Sequence, residues 1–356
     1  MTRTWTSNGL AICGCLVLFG CGATPDDGGV QVTIANLSAG DSTLEGALVV
    51  RDELGGSQTI DLSEVELTAE VQNSDGSWSS VAVRKGGGTV RSHAVIVADN
   101  SGSQDGNLAR MQAAERAFAD DFLGDANQLG VVRVSTESKV MSELTANPEE
   151  FDAAVDAMFV SNGWTALYDG VRMANEVLER ADVSVERQNN QWGCMERPLN
   201  SIVVFTDGRD NNSSDMQKTK YAGDGVDTTL SDLYGLNVLG SQTTVYAVGV
   251  GRAVDEVSLR SLSERSNGYY TPIDDYKALG KTLSQQAKSM KSAAPFCFAL
   301  PYCDAQKVRV HARFMLGGTA YDETLDVDVP AGACGGGGSN GNSNGNANGN
   351  SNGKKK

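Results

Sequence analysis

The sequence predicts an α/β domain, with a doubly wound and mostly parallel sheet, inserted into an all-β sandwich. Three observations carry this reading. Over residues 93–295, short apolar runs rich in β-branched residues alternate with segments of helical period, the pattern of strands covered by helices on both faces. Over residues 30–92 and 296–334, apolar and polar residues alternate with period two and no helical segment intervenes, as in half-buried antiparallel sheet. Neither flank has enough strands to close a core alone, so one discontinuous sandwich is the economical arrangement.

The N-terminus is a targeting segment. Arg3 is followed by an apolar stretch over residues 9–19, interrupted by Cys13 and Cys15, then by Leu18-Phe19-Gly20-Cys21 and a polar run from Gly22 to Asp27. This resembles a bacterial lipoprotein signal. The resemblance implies removal of residues 1–20 and lipidation of Cys21, with residues 21–29 as a linker. Phe19 is bulkier than that family usually carries, and an ordinary secretory signal cut nearby is the alternative. Gly22 rather than Asp after Cys21 implies the outer membrane of a bacterial envelope, on its periplasmic or its outer face. Several acyl chains anchor a protein stably where one does not. No apolar run has the length of a membrane-crossing helix.

The elements follow in order. Residues 30–34, 65–71 and 78–83 read as strands, the last two joined by the turn Asn73-Ser74-Asp75-Gly76. Leu108, Met111, Glu115, Phe118 and Phe122 share one face of a helix, with Glu115 as the break in an apolar stripe. Further strands are expected at 129–134, 138–144 (an edge), 201–205, 243–250 and 268–273, and helices at 148–159, 166–181, 259–265 and 275–291. Residues 307–314 and 323–329 alternate cleanly on either side of Gly317-Gly318, which reads as a hairpin. Residues 335–356 are a Gly/Asn/Ser repeat ending in Lys354-Lys355-Lys356, too polar to pack.

Composition excludes several functions. The 356 residues carry a formal net charge of −16, which disfavours nucleic acid as a partner. There are two histidines, His93 and His311, and neither falls near the candidate site described next. No phosphate-cradling G-x-x-x-x-G-K-[ST] loop occurs. The expectation is therefore a protein that is not an enzyme. Beyond Cys21, four cysteines remain outside the signal: Cys194, Cys297, Cys303 and Cys334. In an oxidising compartment an even count suggests two disulfides.

The residues that carry chemistry lie at strand ends. The apolar run 94–98 stops at Asp99-Asn100-Ser101-Gly102-Ser103, where Asp99, Ser101 and Ser103 alternate and can face one point. A second segment, Gly163-Trp164-Thr165-Ala166-Leu167, opens a helix, and a third, Thr206-Asp207-Gly208, ends another buried strand. Loops at the carboxyl ends of parallel strands share one edge, where ligands bind. Asp99, Ser101, Ser103, Thr165 and Asp207 thus offer carboxylates and hydroxyls together, hard oxygen donors for a divalent cation. Mg2+ is the expected ion, with Mn2+ or Ca2+ as alternatives.

The order D-x-S-x-S, G-x-T-A-L, T-D-G resembles the von Willebrand factor A domain, with a complete metal-ion-dependent adhesion site, over roughly residues 92–293. The resemblance implies direct ligation by Ser101 and Ser103, ligation by Thr165 in the ligand-bound state, and action of Asp99 and Asp207 through waters and hydrogen bonds. Trp164 departs from the family, where a second Gly is common, and residues 183–198 look like an insertion. It also implies binding of a protein or extracellular matrix ligand through an Asp or Glu carboxylate, with the membrane met only through the N-terminal lipid. The alternative is a structural or assembly subunit of an envelope complex. Asn and Asp residues after Asp207, around Ser214-Asp215, read as solvated turn formers.

Topology also orders the cysteines. The last helix runs against the strands and ends at the edge opposite the metal loops, and Cys194 precedes a strand that starts at that edge. Cys194 is therefore expected to bond Cys297 or Cys303, clamping the two domains, with Cys334 taking the remaining one. Peptide mapping under non-reducing conditions tests this, and a Cys297–Cys303 bridge would contradict it.

Overall fold

A computed structural model describes residues 30–40, 43–52, 64–85, 91–184, 198–213, 228–234, 243–299, 307–316 and 318–328. Its strands are β1 (Val30–Gly40), β2 (Thr43–Asp52), β3 (Glu66–Gln72), β4 (Trp78–Val81), β5 (Val83–Lys85), β6 (Ser92–Asp99), β7 (Asn127–Val134), β8 (Lys139–Thr145), β9 (Leu199–Thr206), β10 (Thr243–Val250), β11 (Tyr270–Ile273), β12 (Ala294–Ala299), β13 (Lys307–Leu316) and β14 (Thr319–Asp328). Its helices are α1 (Leu108–Phe122), α2 (Pro148–Asp156), α3 (Leu167–Ser184), α4 (Leu230–Leu233), α5 (Glu256–Arg265) and α6 (Leu279–Lys291).

The central sheet has six strands in the order β11-β10-β9-β6-β7-β8. Five are parallel and only the edge strand β8 runs antiparallel. β6 and β9 are buried at every residue, as their uninterrupted apolar runs require. Alternation along β6 divides the core. Ala94, Ile96 and Ala98 pack with Met111, Phe118, Phe122, Leu279 and Leu283 of α1 and α6, while Val95 and Val97 pack with Val171, Ala174, Leu178 and Leu259 of α3 and α5. The chain leaves β6 towards β7 on one side and returns to β9 on the other. That reversal opens a crevice at the carboxyl ends of β6 and β9.

The flanks form two four-stranded antiparallel sheets, ordered β1-β2-β12-β5 and β14-β13-β3-β4. Each takes strands from both ends of the chain, and one apolar cluster, including Leu44, Leu48, Val71, Phe296, Phe298, Val310 and Phe314, fills the space between them. Two strands are more than period-two alternation predicted. β2 carries Gly46 and an unbroken Ala47-Leu48-Val49-Val50 run because both its faces are covered: Leu48 and Val50 face the sandwich core, while Ala47 and Val49 meet Leu199 and Ala293. β12 contains Pro295, which masks it in the sequence. Pro295 pairs with Ala47 but lies before the three residues that pair with β5, so its missing N–H removes no bond on that side.

The two parts are joined without slack. Only Ser292 and Ala293 separate α6 from β12. The Arg51 guanidinium, on β2, lies 3.3 Å from the centroid of the Tyr269 ring just ahead of β11, a cation–π contact in a buried setting. Burial pulls the Arg51 pKa down, against the favourable charge interactions with Tyr269 and Tyr246. Cys297 pairs with Glu45 and Arg84 across the ladder and is a buried, free thiol. The partners expected for a disulfide at Cys297, namely Cys194, Cys303 and Cys334, lie outside the described residues, as do Cys21 and residues 1–29 and 329–356.

Glu115 explains its break in the α1 stripe only in part. It is fully buried, and neither carboxyl oxygen has a hydrogen-bond partner among the described residues. Burial pushes its pKa up to about 8, and Arg116 offsets this only partly. Between pH 4.5 and 8 the unfolded chain has released a proton that the folded chain keeps, so this residue lowers stability as pH rises through that window. Glu115→Gln is expected to raise the melting temperature at pH 8 by at least about 5 °C and to change it little at pH 4. Thermal unfolding of both chains across that range checks this, and an equal shift at both pH values would contradict it.

Candidate metal centre

Asp99 ends β6 in the crevice and is completely buried. Its Oδ2 accepts a hydrogen bond from Thr206 Oγ1 at 2.5 Å, and its Oδ1 accepts from the Ser101 amide at 3.0 Å. The first bond ties the end of β6 to the end of β9. The second folds the chain back after Asp99, and a single 3-10 turn, Gly102–Gln104, follows. This places Ser101 Oγ 3.2 Å from Ser103 Oγ, and Ser103 Oγ donates to Asp207 Oδ1 at 2.8 Å. Four of the five expected residues therefore form one polar chain.

Thr165 arrives on the connection between α2 and α3. That loop is laced to the first one: Gly102 N donates to Gly163 O at 3.2 Å and Ser161 N to Asn100 O at 3.0 Å. Thr165 is buried, and its backbone is clasped by Asn211, whose Oδ1 accepts from Thr165 N at 2.7 Å while its own N donates to Thr165 O at 2.9 Å. Thr165 Oγ1 and Thr206 Oγ1 lie 4.0 and 3.9 Å from where a Cβ on Gly208 would stand. All five residues thus meet at the expected edge.

Several residues that hold this arrangement were not legible as such. Asp210 accepts from Tyr168 N at 3.2 Å and from Ser213 Oγ at 2.5 Å, so it serves the start of α3, and burial pushes its carboxyl up. Asn212 is buried and donates to Thr136 O at 2.6 Å. The solvated turn expected after Asp207 is therefore wrong for Asn212, which is buried, while Asn211 is exposed and Asp210 part-buried, each with a bonding role besides. Asn and Asp side chains mimic backbone partners in either setting, and composition does not tell them apart. Ser214 and Asp215 lie outside the described residues. Gln104 Nε2 donates to Asp207 Oδ1 at 2.5 Å, and Tyr276, also buried, adds its hydroxyl beside Gln104. Nothing in a helical or strand period marks either one. Farther along the same edge, an open cleft of about 610 Å³ is lined by Gly251, Pro272, Ile273, Asp274, Asp275, Lys277 and Ala278.

Burial pushes the Asp99 carboxyl above the ordinary aspartate range, and the charge of Asp207 adds to this, against the hydrogen bonds from Thr206 and Ser101. Among the described residues no three His, Cys, Asp or Glu side chains cluster, so the donors are two carboxylates and three hydroxyls. That set fits a hard divalent cation and suits neither thiolate- nor imidazole-bound metals.

The sequence profile of the von Willebrand factor type A domain matches residues 94–286, more than half of the chain. The chain belongs to that family. Among solved structures, it resembles a von Willebrand factor type A protein from Catenulispora acidiphila at 13% identity and a TM-score of 0.46, covering 86% of this chain and 75% of that one. Proximal thread matrix protein 1 from the mussel byssus, solved with a zinc-occupied MIDAS motif, is 18% identical with a TM-score of 0.41, over 58% of this chain and 49% of that one. The ArnB paralog VWA2 from Sulfolobus acidocaldarius is 15% identical with a TM-score of 0.39, over 85% and 76%. No curated protein sequence matches the chain.

In this von Willebrand factor A domain the glycine before Trp164 is fixed by contact. A Cβ on Gly163 would stand 2.0 Å from Thr136 Oγ1, and that hydroxyl also accepts from Trp164 N at 3.1 Å. Gly163→Ala is expected to displace the loop that carries Thr165, at a cost of about 1–3 kcal/mol. Chemical denaturation measures the cost, and an unchanged midpoint would show that the loop accommodates the methyl.

Proposed function

We propose that this protein binds a divalent cation through Asp99, Ser101, Ser103, Thr165 and Asp207 and uses it to hold a carboxylate of a protein or matrix ligand. The observation that carries the reading is the polar chain from Thr206 through Asp99 and Ser101 to Ser103 and Asp207, which is assembled by backbone and hydroxyl contacts alone. Ser101, Ser103 and Thr165 would ligate through neutral oxygens, and the two carboxylates would act from behind them. A bound Mg2+, or Mn2+ or Ca2+ in its place, supplies a positive centre incompletely neutralised by such donors and so attractive to an external carboxylate.

The residues of the chain supply orientation and little else. Thr206 and the Ser101 amide occupy Asp99 from two sides. Gln104 and Ser103 both donate to Asp207 Oδ1, which restrains that carboxylate. His93 starts β6 at the far edge, and His311 sits on β13 against Thr324 and Glu70. Neither stands where a proton would be moved at the site, which favours binding over catalysis.

The rest of the proposal comes from the sequence. Cys21 would carry the lipid, in the envelope of a bacterium and on its outer membrane. No helix among the described residues is long and apolar enough to cross a membrane. The metal loops lie at the opposite end of the sheet from Leu199 and Ala293, where the sandwich packs, so the binding edge would face away from the anchored part.

Calorimetry with Mg2+ tests the core of this reading. The full chain is expected to bind one equivalent, and Asp99→Asn to weaken that binding at least about tenfold with an unchanged circular dichroism spectrum. Equal affinity in the two chains would remove the proposal.

A further inference from the structure

Among the described residues, four large apolar side chains are markedly exposed: Phe159 (54%), Trp164 (42%), Val257 (78%) and Met315 (56%). Val257 lies on α5 and Met315 on β13, far apart in the fold. The other two are aromatic and five positions apart, on the connection between α2 and α3 that delivers Thr165. Single exposed apolar residues need no explanation, but two aromatics bordering a polar site do.

The Phe159 ring is held without being covered, and Trp164 is held at its backbone. The Phe159 ring lies against the Arg133 guanidinium, 4.3 Å from its centroid, at the end of β7. Trp164 is fixed at its backbone, where its amide donates to Thr136 Oγ1 at 3.1 Å and Gly163 packs on the same hydroxyl. The preceding carbonyl, Gly163 O, accepts from Gly102, between Ser101 and Ser103. The aromatic segment and the metal loop are thus bonded to each other, and the rim is continuous with the site. Aromatic side chains presented rigidly beside a polar contact point are the usual anchors of a protein interface, since little entropy is lost when they are covered.

We propose that Phe159 and Trp164 form an apolar rim that selects the ligand, and that the ligand is a protein segment whose acidic residue has an apolar side chain beside it in sequence. This rests on the reading of the site as a cation that holds a carboxylate. The rim faces the β7 side of the site, opposite the acidic cleft that Asp274 and Asp275 line, so the two sides of the site offer different chemistry. An apolar residue next to the ligand's carboxylate would fall on the rim side.

A bead library of heptapeptides with a fixed central Asp, screened on the full chain with Mg2+ and with EDTA, tests this. Expected is enrichment of Leu, Ile, Phe or Trp within two positions of the Asp, dependent on Mg2+. The double variant Phe159→Ser, Trp164→Ser should lose that enrichment and bind the best peptide about tenfold more weakly, while its Mg2+ affinity by calorimetry stays unchanged. Enrichment that persists in the double variant overturns the rim alone, and enrichment that persists in EDTA overturns the coupling of the rim to a cation-held carboxylate. Capture competed as well by a uronate oligosaccharide as by the peptide overturns the protein ligand. Mg2+ binding with no Mg2+-dependent capture of any peptide overturns the carboxylate reading and the rim with it.

Discussion

The hydrogen bond from Thr206 to Asp99 holds the whole binding edge in place. It joins the ends of two adjacent parallel strands, β6 entered from the sandwich and β9 reached only after α1, β7, β8, α2 and α3. A carboxylate buried at such a point is costly unless its lone pairs are used, and here they are used by a hydroxyl and an amide from opposite sides. Once Asp99 is fixed, Ser101 has one place to go and Ser103 follows two residues on. Asp207 is reached because it immediately succeeds Thr206. The geometry of the site is thus a property of two strand ends rather than of a flexible loop.

The outer loops reach the same precision by a different means. Residues 207–213 and 161–169 bond to each other through Asn211, Asp210 and Ser213. Asp210 serves the first turn of α3 while Asn211 grips Thr165, so the helix that packs behind β6 and the loop in front of it are set together. Gln104 does a similar service for Asp207.

Residue spacing revealed the parts of this molecule that repeat. The buried strands announced themselves as β-branched runs, the helices by stripes such as Met111, Phe118 and Phe122, and the five oxygen-bearing residues by their places after strands or, for Thr165, at a helix entry. What stayed hidden has a common cause: its meaning depends on a partner far away in sequence. β2 carries no alternation because a second domain covers its outer face. β12 hides behind Pro295, which is harmless only because β5 is three residues long. Asn211 looks like any turn residue until Thr165 is beside it. Glu115 was visible as an exception, but its full burial without a hydrogen bond was not.

The position of β6 has a mechanical meaning. It is paired along its length with β7 and almost as far with β9, it enters from the sandwich end, and it finishes in Asp99. Any tension between a bound ligand and the sandwich would run along this strand, parallel to its axis. Both hydrogen-bond ladders would then be strained in shear, with their rungs sharing the force together instead of opening one after another. The same strand that carries the first oxygen of the site is built as the tether of the domain.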